Sequence, residues 1–334
     1  MLRAPRFWWR DKPTLLARLL QPLGSLYGGI TLRRMRQPGT DAGLPVICVG
    51  NFIAGGAGKT PTAIAIADLL AERGEKPFVL MRGYGGRLAG PIEVDPDRHR
   101  AVDVGDEPLL MARHARTVIA RDRVAGARLA RGLGASVVVM DDGLQNPSLV
   151  KQLKLAVVDG ASGVGNGLCL PAGPLRAALA EQMSEADAII VIGKGHAGQR
   201  VVAVALAQKK TVLAATLKPA DAAVERLRGQ KVVALSGIGR PEKFAATLRE
   251  AGATVATEQA HGDHHAYGES DVAAALATAR EHSALIATTE KDWTKLAQLW
   301  PEKARDVLVV VPVTLAFAEP AAIGDLLAAL DKAS

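Results

Sequence analysis

Between the apolar run PVICVG at 45–50 and a helical run from Thr60 to Arg73 stands the hexapeptide Gly55-Gly56-Ala57-Gly58-Lys59-Thr60. A glycine-rich turn entered from a strand and left through a helix points successive backbone N–H groups at one place, and the helix dipole adds positive potential there. The product is a cradle for phosphate oxygens. A lysine after the last glycine reaches the β- and γ-phosphates of a nucleoside triphosphate, and the next hydroxyl is a ligand for Mg²⁺. Gly55, Gly56, Ala57, Gly58, Lys59 and Thr60 are therefore the candidate ATP-binding residues, with Lys59 also a candidate catalytic cation and Thr60 a candidate metal ligand. The strict spacing asks for glycine where this chain has Ile53. A chance glycine-rich turn is the competing reading, and the flanking strand and helix weigh against it.

That strand is one of a series. PVICVG (45–50), PFVLM (77–81), TVIA (117–120), SVVVMDD (136–142), LAVVD (155–159) and AIIVIG (188–193) alternate with helical patterns. Runs that are apolar throughout suit strands buried on both faces, and helices between them imply right-handed crossovers in a parallel sheet. The pattern loosens around 208–221, and a second series follows: KVVALSG (231–237), ATVAT (253–257), ALIATT (284–289) and VLVVVPV (307–313). The expected fold is α/β. A P-loop NTPase-like, doubly wound, mostly parallel sheet is expected over 37–208, a smaller C-terminal α/β domain over 209–334 and an N-terminal amphipathic helical segment over 1–36.

With 334 residues, 49% of them hydrophobic, the chain has ample apolar material for packed cores. Its two cysteines, Cys48 and Cys169, lack any C-x-x-C spacing, which argues against a disulfide framework or a zinc site and fits a reducing cytoplasm. The formal charge of +7 suits an anionic partner: a nucleotide, a phosphorylated substrate or an acidic lipid surface. No nucleic-acid partner is expected. Leu15, Leu16, Leu19, Leu20, Leu23, Leu26, Tyr27 and Ile30 recur at helical spacing, with Trp8, Trp9 and several cations before them and Arg33, Arg34 and Arg36 after. Arg18, Gln21, Pro22, Gly28 and Gly29 interrupt this stretch too often for a membrane span, and Pro22 is expected to kink or split the helix. An interfacial helix has this make-up. The alternative is an amphipathic helix docked by its apolar stripe on the protein's own core.

A P-loop needs an acidic partner at the tip of a neighbouring strand, and Asp141 and Asp142 follow the run at 136–140. They are candidate metal ligands. Phosphoryl transfer to an alcohol also profits from a base near the hydroxyl. Asp106 in Gly105-Asp106-Glu107-Pro108 is one candidate, although acids at a helix start have a simple dipole explanation. His261-Gly262-Asp263-His264-His265-Ala266-Tyr267 holds three of the seven histidines; no cysteine or well-spaced further ligand supports a metal there. Arg82-Gly83-Tyr84-Gly85-Gly86 follows a strand at the same edge as the P-loop, either as an anion contact or as a structural hairpin. Thr288-Thr289-Glu290-Lys291-Asp292 reads best as a helix cap with a charged first turn.

In order along the chain, GNFIAGGAGKTP (50–61), RGYGG (82–86), GDEP (105–108), DDGLQ (141–145), LPAGPLR (170–176), SGIGRPEKF (236–244), DHHAY (263–267) and TEKDWTKL (289–296) resemble the tetraacyldisaccharide 4′-kinases, which phosphorylate a lipid A precursor. The resemblance implies an ATP- and Mg²⁺-dependent kinase for the 4′ hydroxyl of an acylated disaccharide 1-phosphate. It further implies a peripheral enzyme on the cytoplasmic face of the inner membrane, with its active site between two domains. By the same resemblance Asp106 pairs with a histidine of DHHAY, taken as His264 rather than His265, to activate the hydroxyl, and domain closure brings the two together. Many members carry glutamate where this chain has Ala177, so that function is absent here or supplied elsewhere, with Glu181 a candidate. Two other classes compete: a membrane-associated P-loop ATPase switch that phosphorylates no substrate, and a soluble small-molecule kinase.

Overall fold

The computed structural model describes residues 4–263 and 265–331. The strands are β1 (Val46–Asn51), β2 (Pro77–Met81), β3 (Ile92–Glu93), β4 (Thr117–Ile119), β5 (Val137–Asp141), β6 (Leu153–Asp159), β7 (Ala188–Ile192), β8 (Thr211–Pro219), β9 (Lys231–Ser236), β10 (Thr254–Ala260), β11 (Leu285–Thr289), β12 (Leu308–Val311) and β13 (Val313–Phe317). A nine-stranded sheet has the order β13-β8-β7-β6-β1-β5-β2-β4-β3, and a four-stranded sheet the order β10-β9-β11-β12. Pairing in the small sheet is parallel throughout; in the large one only the edge pairs β3/β4 and β8/β13 are antiparallel.

The continuous apolar runs behave as expected: β1 and β5 are buried at every position because helices cover both faces. The central strand β1 lies between β5 and β6, so the chain winds first to one side and then to the other. The crevice at that switch point, outside the carboxyl ends of the strands, is where open α/β sheets bind ligands.

The boundary expected near residue 208 is corrected by the sheets. Thr211–Pro219, read as loosened pattern, is a strand of the large sheet; its exposed, partly polar residues hide a strand near the sheet edge. The chain then builds the small sheet and returns through β13 to pair with β8. The closing helix Pro320–Asp331 packs Ile323, Leu327 and Leu330 into the large sheet's core. The smaller lobe is thus an insertion between β8 and β13.

For the N-terminal helix, two of the alternatives left open by the sequence are excluded: a split at Pro22 and docking by the apolar stripe. Leu15–Met35 forms one helix with Pro22 inside it, rather than two pieces. It docks through its small residues, not its leucines: Ala17, Gly24 and Gly28 are buried, whereas Leu19, Leu23, Leu26 and Ile30 are 57 to 70% exposed. A Cβ on Gly28 would come within 2.9 Å of Cys169 Sγ and 3.5 Å of Ala177 Cα, so the helix backbone lies directly on that loop. Trp8 is tied into the protein too, its indole N–H donating to Pro171 O at 3.0 Å. No helix among the described residues is long and apolar enough to cross a membrane.

Candidate active site

β1 ends at Asn51, whose side-chain amide donates to Gly55 O at 2.9 Å and so folds the loop back on its strand. Ile53 is 2% exposed and bridges to Leu175, which explains the missing glycine: this position is a core side chain, not part of the phosphate-facing turn. Gly55 and Gly58 take φ of +130° and +92°, conformations that a side chain disfavours. A Cβ on Gly58 would lie 2.5 Å from Ile192 Cδ1, while Gly55 and Gly56 face open space. The helix Lys59–Glu72 starts directly after this turn, so its unpaired amides open onto that space.

Asp141 closes β5 beside the loop and is 3% exposed; its Oδ1 has no hydrogen-bond partner among the described residues. Burial pushes its carboxyl up to about 7 against the pull of Lys59, with Glu107 adding to the rise. Asp142 takes φ of +51° and turns its side chain outward. Lys59 Nζ lies 3.6 Å from Asp142 Oδ1 and Arg176 Nη2 3.3 Å from Asp142 Oδ2. Burial alone would raise the Asp142 carboxyl, but these two cations hold it below the ordinary carboxylate range. Arg176 also donates to Ile53 O and to Gln145 Oε1, both at 3.1 Å, and so fastens the loop to the DDGLQ turn. A buried carboxylate with an unpartnered oxygen next to a second carboxylate, with the Thr60 hydroxyl in the first turn of the helix that leaves the loop, is a donor set that fits Mg²⁺.

Across the same sheet edge, Asp106 opens the helix Asp106–Ala112 and is 7% exposed. Gly105, at φ +97°, lets the backbone pass Tyr84: a Cβ there would meet Tyr84 O at 2.4 Å. Gly86 packs as closely on Asp103 O, at 2.6 Å. The RGYGG and GDEP segments therefore interlock at the backbone, and glycine is needed at those contacts. Arg82 is exposed at this edge; its charge, behind the larger effect of burial, helps bring Arg123 down to about 10.

The small sheet presents the same edge. The segments after β9 and β11, at carboxyl ends, meet the large lobe. Arg240 Nη1 lies 3.0 Å from Asp159 Oδ1 at the end of β6, and Lys243 pairs with the other oxygen. His114 Nε2 lies 2.9 Å from Glu290 Oε1. Lys291 Nζ is 3.4 Å from Glu107 Oε1 and 3.9 Å from Asp106 Oδ2, and Lys295 Nζ is 3.7 Å from Asp106 Oδ2.

His264 lies outside the described residues. Around it, His261 and His265 stack at 4.3 Å between centroids, and His265 Nε2 is 3.1 Å from Asp271 Oδ2. Asp271 is a third donor to that cluster that the sequence did not signal, and it already accepts from Gly268 N at the start of the helix Glu269–His282. Sequence reasoning also left Arg176, Gln145, Asp159, Lys291 and Lys295 without roles. The lysine pair was findable, because a spacing of four sets both on one face of the helix Glu290–Leu296. The cap reading of that segment holds as well: Thr289 Oγ1 accepts from Asp292 N at 3.0 Å.

The family model for tetraacyldisaccharide-1-P 4′-kinase (LpxK) matches residues 16–331. The chain belongs to this family. A tetraacyldisaccharide 4′-kinase of Rhodopseudomonas palustris (strain BisB18) is 51% identical over 326 residues, covering 97% of this chain and 94% of its own. One from Methylobacterium nodulans is 52% identical over 319 residues, covering 96% and 93%. A crystal structure of LpxK from Aquifex aeolicus in complex with ATP shares the fold at 24% identity, with a TM-score of 0.74 over 95% of this chain and 99% of that one. Family membership makes the chain an ATP-dependent kinase for the 4′ hydroxyl of a tetraacyldisaccharide 1-phosphate; a switch ATPase without a phosphorylated substrate is not favoured.

Proposed function

We propose that phosphoryl transfer runs in the cleft between the carboxyl edges of the two sheets. The loop amides from Gly55 to Gly58, with Lys59, grip the triphosphate of ATP. Thr60, Asp141 and Asp142 would hold Mg²⁺, which when bound offsets charge on the β- and γ-phosphates. Asp106, paired with His264, takes the proton of the 4′ hydroxyl. The freed oxygen attacks the γ-phosphorus in line, the bond from that phosphorus to the β–γ bridging oxygen breaks, and ADP leaves. The observation that carries this reading is that Lys59, at the end of a glycine turn open to free space, lies 3.6 Å from Asp142, beside the buried Asp141 with its unpartnered Oδ1.

The lipid's acyl chains and the membrane surface are assigned to the outer face of the helix Leu15–Met35. In support, seven of its large apolar residues are exposed, Leu15, Leu16, Leu19, Leu23, Leu26, Tyr27 and Ile30, with Arg33, Arg34 and Arg36 beyond them. We assign the same reading a peripheral place on the cytoplasmic face of the inner membrane, where ATP is supplied; the two unpaired cysteines, Cys48 and Cys169, are compatible with it. The glutamate position taken by Ala177 is packed under the Gly28 backbone, and we assign it no function.

The test is transfer of label from ATP to the purified lipid. The wild-type protein is expected to give labelled lipid, and Lys59→Ala and His264→Ala to lower its rate by about 10²–10⁴. Free phosphate as the only labelled product, or full rates in both variants, would contradict the assignment.

A further inference from the structure

Asp106 sits at a helix start in the large lobe, yet Lys291 and Lys295, which pair with it, come from the small lobe. Lys295 is 10% exposed at its side chain, and its Nζ makes no hydrogen bond among the described residues. It lies 3.7 Å from Asp106 Oδ2, 3.5 Å from Asp292 Oδ1 and 5.3 Å from the centroid of the Tyr267 ring. Asp292, fully buried, is itself fixed: its Oδ2 accepts from Gly237 N at 2.9 Å and from Thr289 Oγ1 at 2.7 Å. The run from Gly237 and Thr289 through Asp292 to Lys295 is thus a rigid mount in one lobe whose ammonium faces the carboxylate of the other. Lys291, one turn earlier, spans Glu107, Asp263 and, at 3.9 Å, Asp106.

A buried ammonium is retained where it meets matching charge, and the attraction between unit charges grows as water is excluded. Nothing in the P-loop reading uses these lysines. We propose that Lys295, assisted by Lys291, is a positioning residue for the known reaction: it holds the Asp106 carboxylate ionised and oriented, so that the base is complete only while the small lobe is docked. This rests on the assignment of Asp106 as the base. Among the described residues, Lys291 and Lys295 of the helix Glu290–Leu296 pair with Asp106; Glu107 and Asp263 share Lys291, Asp292 shares Lys295, and Asp103 is turned to Arg87 at 2.7 Å. His264 belongs to the same loop as Asp263 and lies outside the described residues.

The experiment is the pH dependence of kcat, at saturating ATP and lipid, for the wild type, Lys295→Met, Lys295→Arg, Lys291→Met and Asp106→Asn. Removing an opposite charge a few ångströms from a carboxylate raises its pKa by about 1 unit or more, so the acid limb of Lys295→Met is expected to move up by about 1 unit. Lys291→Met is expected to move it less, and Lys295→Arg to restore it, with KM for ATP unchanged in all three. A merely structural lysine would lower kcat without displacing the limb. If Lys295→Met fails to fold, Lys291→Met still reports the limb, which moves up if the cations set it. Unmoved limbs in both methionine variants, with Asp106→Asn inactive, would overturn this inference alone. An active Asp106→Asn would overturn the base assignment and this inference with it.

Discussion

At Asp142 the chain accepts φ of +51°, a left-handed conformation that costs a non-glycine residue about 1–2 kcal/mol, in order to bring a carboxylate to Lys59 and Arg176. Asparagine tolerates the same backbone but carries no charge. Asp142→Asn is therefore expected to keep the wild-type thermal midpoint within a degree or two while turnover falls by about 10²-fold or more, read from paired melting and kinase assays. Gly58 makes the opposite kind of demand. Alanine there would combine strain at φ +92° with a Cβ 2.5 Å from Ile192 Cδ1, so Gly58→Ala is expected to weaken ATP binding, measured by calorimetry, more than it weakens the fold. The P-loop glycines, Lys59 and the Asp141–Asp142 pair were recognisable as candidates because each is a local pattern of chain and chemistry. Arg176 and Lys295 were not, because their partners are 34 and 189 positions away in sequence, and only the folded sheets bring them together.

Elements decide what sequence patterning left open. The leucines of Leu15–Met35 repeat at helical spacing, which normally marks a core-facing stripe, yet the packed face is Ala17, Gly24 and Gly28. Close backbone approach on Cys169 and Ala177 needs small residues, so the large ones turn outward. The composition signalled the interfacial helix and could not tell which face docks. Two variants separate the roles. Leu23→Asp with Leu26→Asp alters side chains 57% and 64% exposed and is expected to abolish flotation with acidic vesicles while leaving the thermal midpoint unchanged. Gly28→Leu is expected to lower that midpoint, since it drives a side chain into Cys169. The strand β8 shows the converse limit: its residues are largely exposed beside the edge, so no continuous apolar run announced it.

On the scale of the whole molecule, a mostly parallel sheet and a parallel one turn their carboxyl edges towards each other, and charge pairs span the contact. Asp159 is the second such junction after the lysines. Burial alone would raise its carboxyl, but Lys243 and Arg240 more than reverse this and hold it at about 2. A carboxylate with a depressed folded pKa adds stability that is present above the ordinary carboxylate range and lost as pH falls towards 2. Asp159→Asn is accordingly expected to lower the thermal midpoint at pH 7, with the gap to wild type closing between about pH 4 and 2. A gap that stays constant over that range would mean the pair contributes nothing through its charge.

The central claim is that the 4′ hydroxyl loses its proton to Asp106 while the P-loop holds the phosphate it attacks. Single-turnover transfer of labelled γ-phosphate to the lipid, with Asp106→Asn saturated by Mg-ATP, isolates that step from binding. The account predicts ATP affinity equal to wild type and a transfer rate lower by about 10²–10⁴. A transfer rate near wild type in the same variant would contradict it.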